Sequence, residues 1–322
     1  MLLNTNPEEN KESKLSPVLQ LAQRFNVFFL TKLQSSYALP FIVEGYIVGL
    51  IRPDVLNTIK KSPLFKVYSD SIELTPKYGH DYETRSREIE AVINEWRKNK
   101  AFVTLNGWRD ELYEVRSGFD DPPLLKMERS ATCLFGIRQY GVDINGYVHH
   151  PTKGLCVWLQ KRSITKQTWP GKMDNMVGGG LAVGYSVIET ALKESNEEAS
   201  IPEDLLANLQ PVGTVSYFFE SERGLFPNTH FVYDLELPLD FVPINQDGEV
   251  ESFTLVTLQE ALDWALAPEF KTTSCPVILD FLVRHGFITP QNEPDFPQLM
   301  ELLHVPLHSI FKQITIPSSS HQ

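Results

Sequence analysis

Glu194, Glu197 and Glu198 stand at positions i, i+3 and i+4. On an α-helix those three carboxylates fall on one narrow face. Like charges so spaced cost an isolated helix roughly a few tenths of a kcal/mol per pair. A hard divalent cation would turn that cost into a binding site. Magnesium prefers oxygen ligands and keeps several waters, leaving room for phosphate oxygens; manganese is the alternate ion. Such a centre suits metal-dependent hydrolysis of a phosphoanhydride. The local sequence predicts the helix that this chemistry needs. Ser186 followed by Glu189 forms a capping box that starts a helix near Val187, and Pro202 helps to stop it. Immediately before it runs a glycine-rich stretch beginning Gly178-Gly179-Gly180.

The chain is acidic, with a formal net charge of −12 and a pI near 5.2. An anionic substrate therefore needs metal ions or a local basic patch. Lys161, Arg162 and Lys166, which lie before the glycine stretch, are candidates to contact phosphate. Trp169 could stack on a substrate ring, and Arg223 and Phe226 sit in a loop placed to flank a pocket. The acidic balance argues against nucleic acid as a partner, because phosphate backbones demand a basic face. No G-x-S-x-G elbow and no P-loop lysine motif occurs, which removes the serine hydrolase and P-loop kinase classes.

The surrounding elements read as follows. A helix is expected from Ser16 onward, carrying Val18, Leu19, Leu21, Ala22 and Phe25. Phe41-Ile42-Val43 and Tyr46-Ile47-Val48 flank a turn at Glu44-Gly45. Pro53 opens a short helix, residues 65–68 alternate like a strand, and residues 83–98 form a charged helix with Ile89, Val92, Ile93 and Trp96 on one face. Strands are expected over 108–115, 133–139, 141–147, 155–160, 212–220, 230–237 and 249–256, and helices over 258–266, 277–285 and 296–303. The Gly118, Asp120-Asp121 and Pro122-Pro123 cluster suggests a domain boundary. The division is thus a disordered 1–15, an N-terminal accessory domain over 16–122, a catalytic domain over 123–290, and a tail over 291–322. Strands around one central helix give an α+β class. Three single cysteines and the absence of a signal-like start or a long apolar run predict a cytoplasmic protein with no membrane partner.

The segment from Gly179 to Ile201 resembles the Nudix box. Gly179 matches its opening glycine, and Glu194, Glu197, Glu198 and Ile201 keep their places. Tyr185 stands for the first glutamate, Lys193 for the arginine, Ser195 for an apolar residue and Ser200 for the glycine. More specifically, the chain resembles the subfamily related to the Nudix part of fungal thiamine pyrophosphokinase fusions and to thiamine-diphosphate phosphatases. Segments in both halves carry that likeness, among them Leu39-Pro40-Phe41, Gly107-Trp108-Arg109-Asp110-Glu111, Trp169-Pro170-Gly171, Asp174-Asn175-Met176-Val177-Gly178 and Asp247-Gly248-Glu249. The resemblance implies a Nudix-type α/β/α sandwich preceded by a smaller mixed α+β domain. It implies magnesium on Glu194, Glu197, Glu198, Glu249 and Gly178, with Glu194 and Glu249 catalytic and Glu251 the alternate to Glu249. It implies a small-molecule diphosphate as substrate, thiamine diphosphate or an oxidised analogue, or else a nucleoside diphosphate derivative. A non-catalytic diphosphate-binding role is the remaining alternative, and a homodimer is left open. Trp108, Arg109 and Tyr113 of the first domain are expected to offer surface to the organic part of the substrate.

Overall fold

The computed structural model describes residues 15–33 and 37–314. All of the segment expected to be disordered except Leu15 lies outside these residues.

A four-stranded sheet forms the first body, in the order Tyr46–Ile51, Leu39–Val43, Ile72–Leu74, Phe65–Val67. Glu44 and Gly45 both take positive φ, 50° and 80°, as a two-residue hairpin turn requires. The helix Tyr82–Lys98, capped by Asp81 on the amide of Thr84 at 2.8 Å, lays Ile89, Ile93 and Trp96 on this sheet. A two-stranded ribbon, Leu112–Val115 with Leu125–Glu128, closes the same core.

The strand expected over 133–139 does not form. Arg129–Leu134 is a 3-10 helix instead, started by the Glu128 carboxylate, which accepts the amide of Ser130 at 3.1 Å. Gly136 then turns with φ 55° close against the backbone of Leu50. The alternating Cys133, Phe135 and Ile137 are buried by this turn, and Phe135 stacks on Trp96 with ring centroids 5.7 Å apart. Alternation here marks burial on all sides and not a pleat.

The second body is a seven-stranded mixed sheet. Its main path runs Gln210–Ser221, Gly224–Glu236, Gln139–His150, Gly154–Arg162, Val250–Thr257. Val177–Gly180 pairs with the third of these and Met173–Asn175 with the fourth. Gly224–Glu236 runs parallel to Gln139–His150, and the other pairings are antiparallel. The helix Val187–Ala199 contributes Ala191 and Ala199 to one core with Val142, Ile144 and Leu235. The helices Leu258–Leu266 and Cys275–Arg284 share another with Leu159 and Tyr217. The result is the expected helix–sheet–helix sandwich.

The apolar cores cut across the division at 122. The first core continues through Leu125, Met127 and Leu134 to Ile137. The helix Pro17–Phe25 instead buries Leu19, Leu21 and Phe25 with Ile278, Leu282, Leu299 and Leu302. The helix Phe296–Leu303 is thus part of the second body's core. Among the described residues, no helix is long and apolar enough to cross a membrane.

Candidate active site

The glycine stretch is a strand that brings the glutamate helix close. A Cβ on Gly179 would run into Cγ and Cδ of Glu194, and one on Gly180 into the Tyr113 hydroxyl. At Gly178 it would come to 3.0 Å from Oδ1 of Asp143. Only glycine lets backbone and carboxylate approach so closely. The helix begins as its sequence predicts: Ser186 Oγ accepts the Glu189 amide at 3.3 Å, and Glu189 accepts the Ser186 amide at 2.8 Å.

The box departures each find a local answer. Ser200 adopts the left-handed conformation (φ 51°, ψ 41°) that the replaced glycine would favour, and its hydroxyl donates to the carbonyl of Ile244 at 2.5 Å. Ser195 is buried, and its hydroxyl donates to the carbonyl of Ala191 at 2.7 Å. Lys193 donates to Glu194 at 3.2 Å and to Glu197 at 2.7 Å. Tyr185 is simply exposed.

Glu198 is only 1% exposed. It accepts the Gly178 amide at 3.0 Å and Nε2 of Gln160 at 3.3 Å, and Lys166 Nζ lies 3.5 Å away. Burial pushes its carboxyl up to about 7, with Lys166 and the Gly178 amide opposing that rise. Burial also raises Glu194, against the pull of Lys193. Lys166 is driven down to about 8 by its own burial, although Glu198 favours its charge. It forms a second ion pair with Glu249. A lysine ammonium therefore sits between Glu198 and Glu249, and another sits beside Glu194 and Glu197.

Among the described residues, no three His, Cys, Asp or Glu side chains are gathered tightly enough to enclose a metal ion as they stand. The donor set nevertheless fits a hard cation. It consists of carboxylate oxygens, one of them buried, and lysine ammoniums stand beside them in the place of a cation.

A cleft of about 640 Å³ opens above the glutamate helix. Its lining includes Gly178, Glu194, Glu197 and Glu249, together with Arg162, Lys166, Trp169, Arg223 and Phe226. Glu198 lies beneath the floor. Lys161 is not part of the cleft: it pairs with Glu251 at 2.7 Å, and both are about half exposed. That pairing also takes Glu251, the alternate carboxylate, away from the cleft that Glu249 lines. Arg162 lines the cleft but is spent on support. It binds Asp174 at 2.8 Å and the carbonyls of Thr168 and Trp169 at 3.0 and 3.1 Å. Burial would raise the Asp174 carboxyl, but Lys271 and Arg162 overcome it and hold the group well below the usual range. The loop so anchored holds Trp169 at φ 53°, a strained setting for an aromatic residue. Trp169 and Phe219 lie 6.4 Å apart and Phe219 and Phe226 6.1 Å, giving the cleft an aromatic side.

The opposite wall comes from the first body: Gly107, Arg109, Glu111, Arg129 and Ser130. Arg109 donates to Thr168 Oγ1 at 2.9 Å. Burial, reinforced by the positive charge of Arg129, brings its guanidinium down to about 10. Arg129 pairs with Glu111 at 2.7 Å. Arg223 lies over the ring of Phe226 at 5.3 Å. No carboxylate among the described residues comes within ion-pair distance of Arg109 or Arg223. Of the other first-domain residues considered, Trp108 lies under Arg97 (4.2 Å) and binds Asp110, and Tyr113 is buried against Gly180.

The sequence reading missed Arg129 and a polar chain on the sheet formed by Asp143, His230, Tyr217 and Asn228. Polar residues recurring inside otherwise apolar strands were the available signal.

Comparison with known proteins finds relatives over both bodies. Residues 140–274 match the NUDIX domain model, and residues 17–139 match a domain of unknown function, DUF4743. Nudix hydrolase 24, chloroplastic, of Arabidopsis thaliana is 38% identical over 258 residues, covering 79% of this chain and 69% of that protein. Nudix hydrolase 20, chloroplastic, of the same plant is 36% identical over 264 residues, covering 79% and 70%. An uncharacterized protein of Saccharomyces cerevisiae is 37% identical over 239 residues, covering 70% and 69%. The chain belongs to the Nudix hydrolases. It is an enzyme of that family, with a DUF4743 match over residues 17–139 ahead of the NUDIX domain.

Proposed function

We propose that the protein hydrolyses thiamine diphosphate, and oxidised analogues of it, to the monophosphate and phosphate. The observation that carries the reading is the mixed charge of the cleft: Glu194, Glu197 and Glu249 share its lining with the guanidiniums of Arg109 and Arg223, neither of which forms an ion pair among the described residues. A diphosphate ester offers two anionic groups and an organic body to such a cleft.

Glu194, Glu197 and Glu198 would hold magnesium, with Gly178 and Glu249 at its margin. The ion, when bound, would neutralise phosphate oxygens and make a water more acidic. Glu249 would take the proton of the attacking water; its partly exposed carboxylate, paired with Lys166, lines the cleft. The water oxygen forms the new bond to the terminal phosphorus. The bond from that phosphorus to the bridging oxygen breaks, and the pair of electrons leaves on the monophosphate. Arg109 and Arg223 bind and orient the anionic groups, and the aromatic side receives the organic ring. Lys166, paired with Glu198 and Glu249, would supply its positive charge to phosphate.

The test is a phosphate-release panel on the purified protein with thiamine diphosphate, its oxidised forms and nucleoside diphosphate derivatives. The highest kcat/KM is expected on a thiamine-type diphosphate. A preference of tenfold or more for a nucleoside diphosphate derivative would replace the substrate while leaving the hydrolase chemistry in place.

A further inference from the structure

We propose that Gln139 and Asn228 form a donor–acceptor pair that reads the edge of a nitrogen heterocycle on the substrate. The inference rests on the diphosphate-hydrolase reading of this cleft and assigns its specificity. Gln139 and Asn228 are register partners on adjacent parallel strands, so their side chains share one face of the sheet, and both line the cleft. Nε2 of Gln139 and Oδ1 of Asn228 are each buried with no hydrogen-bond partner. Buried amide atoms without partners are costly, and a protein that keeps two of them side by side in a cleft has a use for them.

The orientation of Asn228 is set from behind. The Asp143 carboxylate accepts from Nδ1 of His230. In the neutral ring this leaves Nε2 as an acceptor, so Tyr217 donates its hydroxyl to it at 3.1 Å. The Tyr217 oxygen then accepts from Nδ2 of Asn228, also at 3.1 Å. Three links anchored on one carboxylate thus fix Oδ1 of Asn228 as the amide atom left without a partner. Its register partner Gln139 contributes an N–H that is likewise unpartnered. The complement is a ring edge with an acceptor next to a donor, as in an aminopyrimidine or a lactam. The rings of Trp169, Phe219 and Phe226 line the same cleft and suit the flat faces of such a ring.

The experiment compares Gln139→Met and Asn228→Leu with the wild type on thiamine diphosphate and on n-butyl diphosphate, which has no ring. Each substrate is scored by kcat/KM, or by Ki if it is not turned over. The ratio of the two values is expected to fall by about 10- to 100-fold in favour of the ringless compound, because a site built to hydrogen-bond discriminates through the bonds it loses. The Kd for thiamine itself, by calorimetry, should rise in step, which is a readout independent of turnover. Gln139→Met should not lower the Tm, since that side-chain nitrogen has no partner to lose, and this variant carries the test alone if Asn228→Leu does not fold. A ratio unchanged in Gln139→Met, with thiamine diphosphate still hydrolysed, overturns the pair and leaves the hydrolase reading intact. If the wild type ignores thiamine diphosphate and cleaves a nucleoside diphosphate derivative, the ratio is read with that compound: a fall upholds the pair, and no fall overturns it.

Discussion

Glu198→Gln should inactivate the enzyme and yet stabilise it at alkaline pH. The carboxyl of Glu198 is raised from 4.5 to about 7, chiefly by burial. A raised acid stabilises the folded state while it stays protonated. That contribution is complete below about 4.5, declines as pH rises, and is gone above about 7. At 1.36 kcal/mol per pH unit, the folded wild type then bears a cost of about 3 kcal/mol at pH 8 relative to a neutral group. Glutamine is neutral at every pH and keeps an oxygen for the Gly178 amide, although it serves Lys166 less well. About 3 kcal/mol is therefore the ceiling of the gain. In a chain of this size it corresponds to a Tm rise of roughly 5 °C at pH 8 without added metal. At pH 5 the difference should be near zero or reversed. Turnover should meanwhile fall at least ~100-fold, on the order of a lost metal-site group. The assays are denaturant unfolding at both pH values and phosphate release. A variant as destabilised at pH 8 as at pH 5 would refute the reasoning, because it would show Lys166 and Gly178 fully compensating the buried charge.

Arg109→Ala should lower kcat/KM for a diphosphate by about 10- to 100-fold, mostly through KM, as expected for a charged hydrogen bond to substrate. Its Tm should barely move, since among the described residues the side-chain partner of its guanidinium is Thr168; unchanged kcat/KM would remove the first body from substrate binding. Gly179→Ala should cost about 1–3 kcal/mol in stability and at least ~10-fold in turnover, because the new methyl collides with the Glu194 side chain. Near-normal turnover would show that Glu194 needs no fixed position.

What the sequence disclosed was local. The Ser186–Glu189 cap, the Glu44-Gly45 turn and the carboxylate face of Val187–Ala199 all depend on residues within one or two turns of each other, and all formed as expected. The misjudged features depend on distant partners. Cys133 to Ile137 alternates because the first core surrounds it, not because a sheet continues there. Lys161 and Arg162 look alike in sequence, yet adjacent strand residues face opposite ways, so one meets solvent and the other Asp174. Glu249 and Glu251 are separated by an irregularity in pairing between Val250 and Ser252, which sends the second toward Lys161. Of the three first-domain residues expected to face the substrate, Arg109 lines the cleft, whereas Trp108 is taken up by Arg97 and Asp110 and Tyr113 by Gly180, partners that no local spacing announces. Asp143 and Tyr217 are joined through His230 across three strands, a register that emerges only on folding.

On the proposed reading, the carboxylates of Val187–Ala199 act through a divalent cation on a diphosphate. The most direct test is phosphate release from thiamine diphosphate by the wild type, Glu194→Gln and Glu198→Gln, each with magnesium and with excess chelator. Turnover is expected from the wild type with magnesium, and at least ~100-fold less in the chelator and in Glu198→Gln. Undiminished release in the chelator, or near-normal release by both variants, would contradict it.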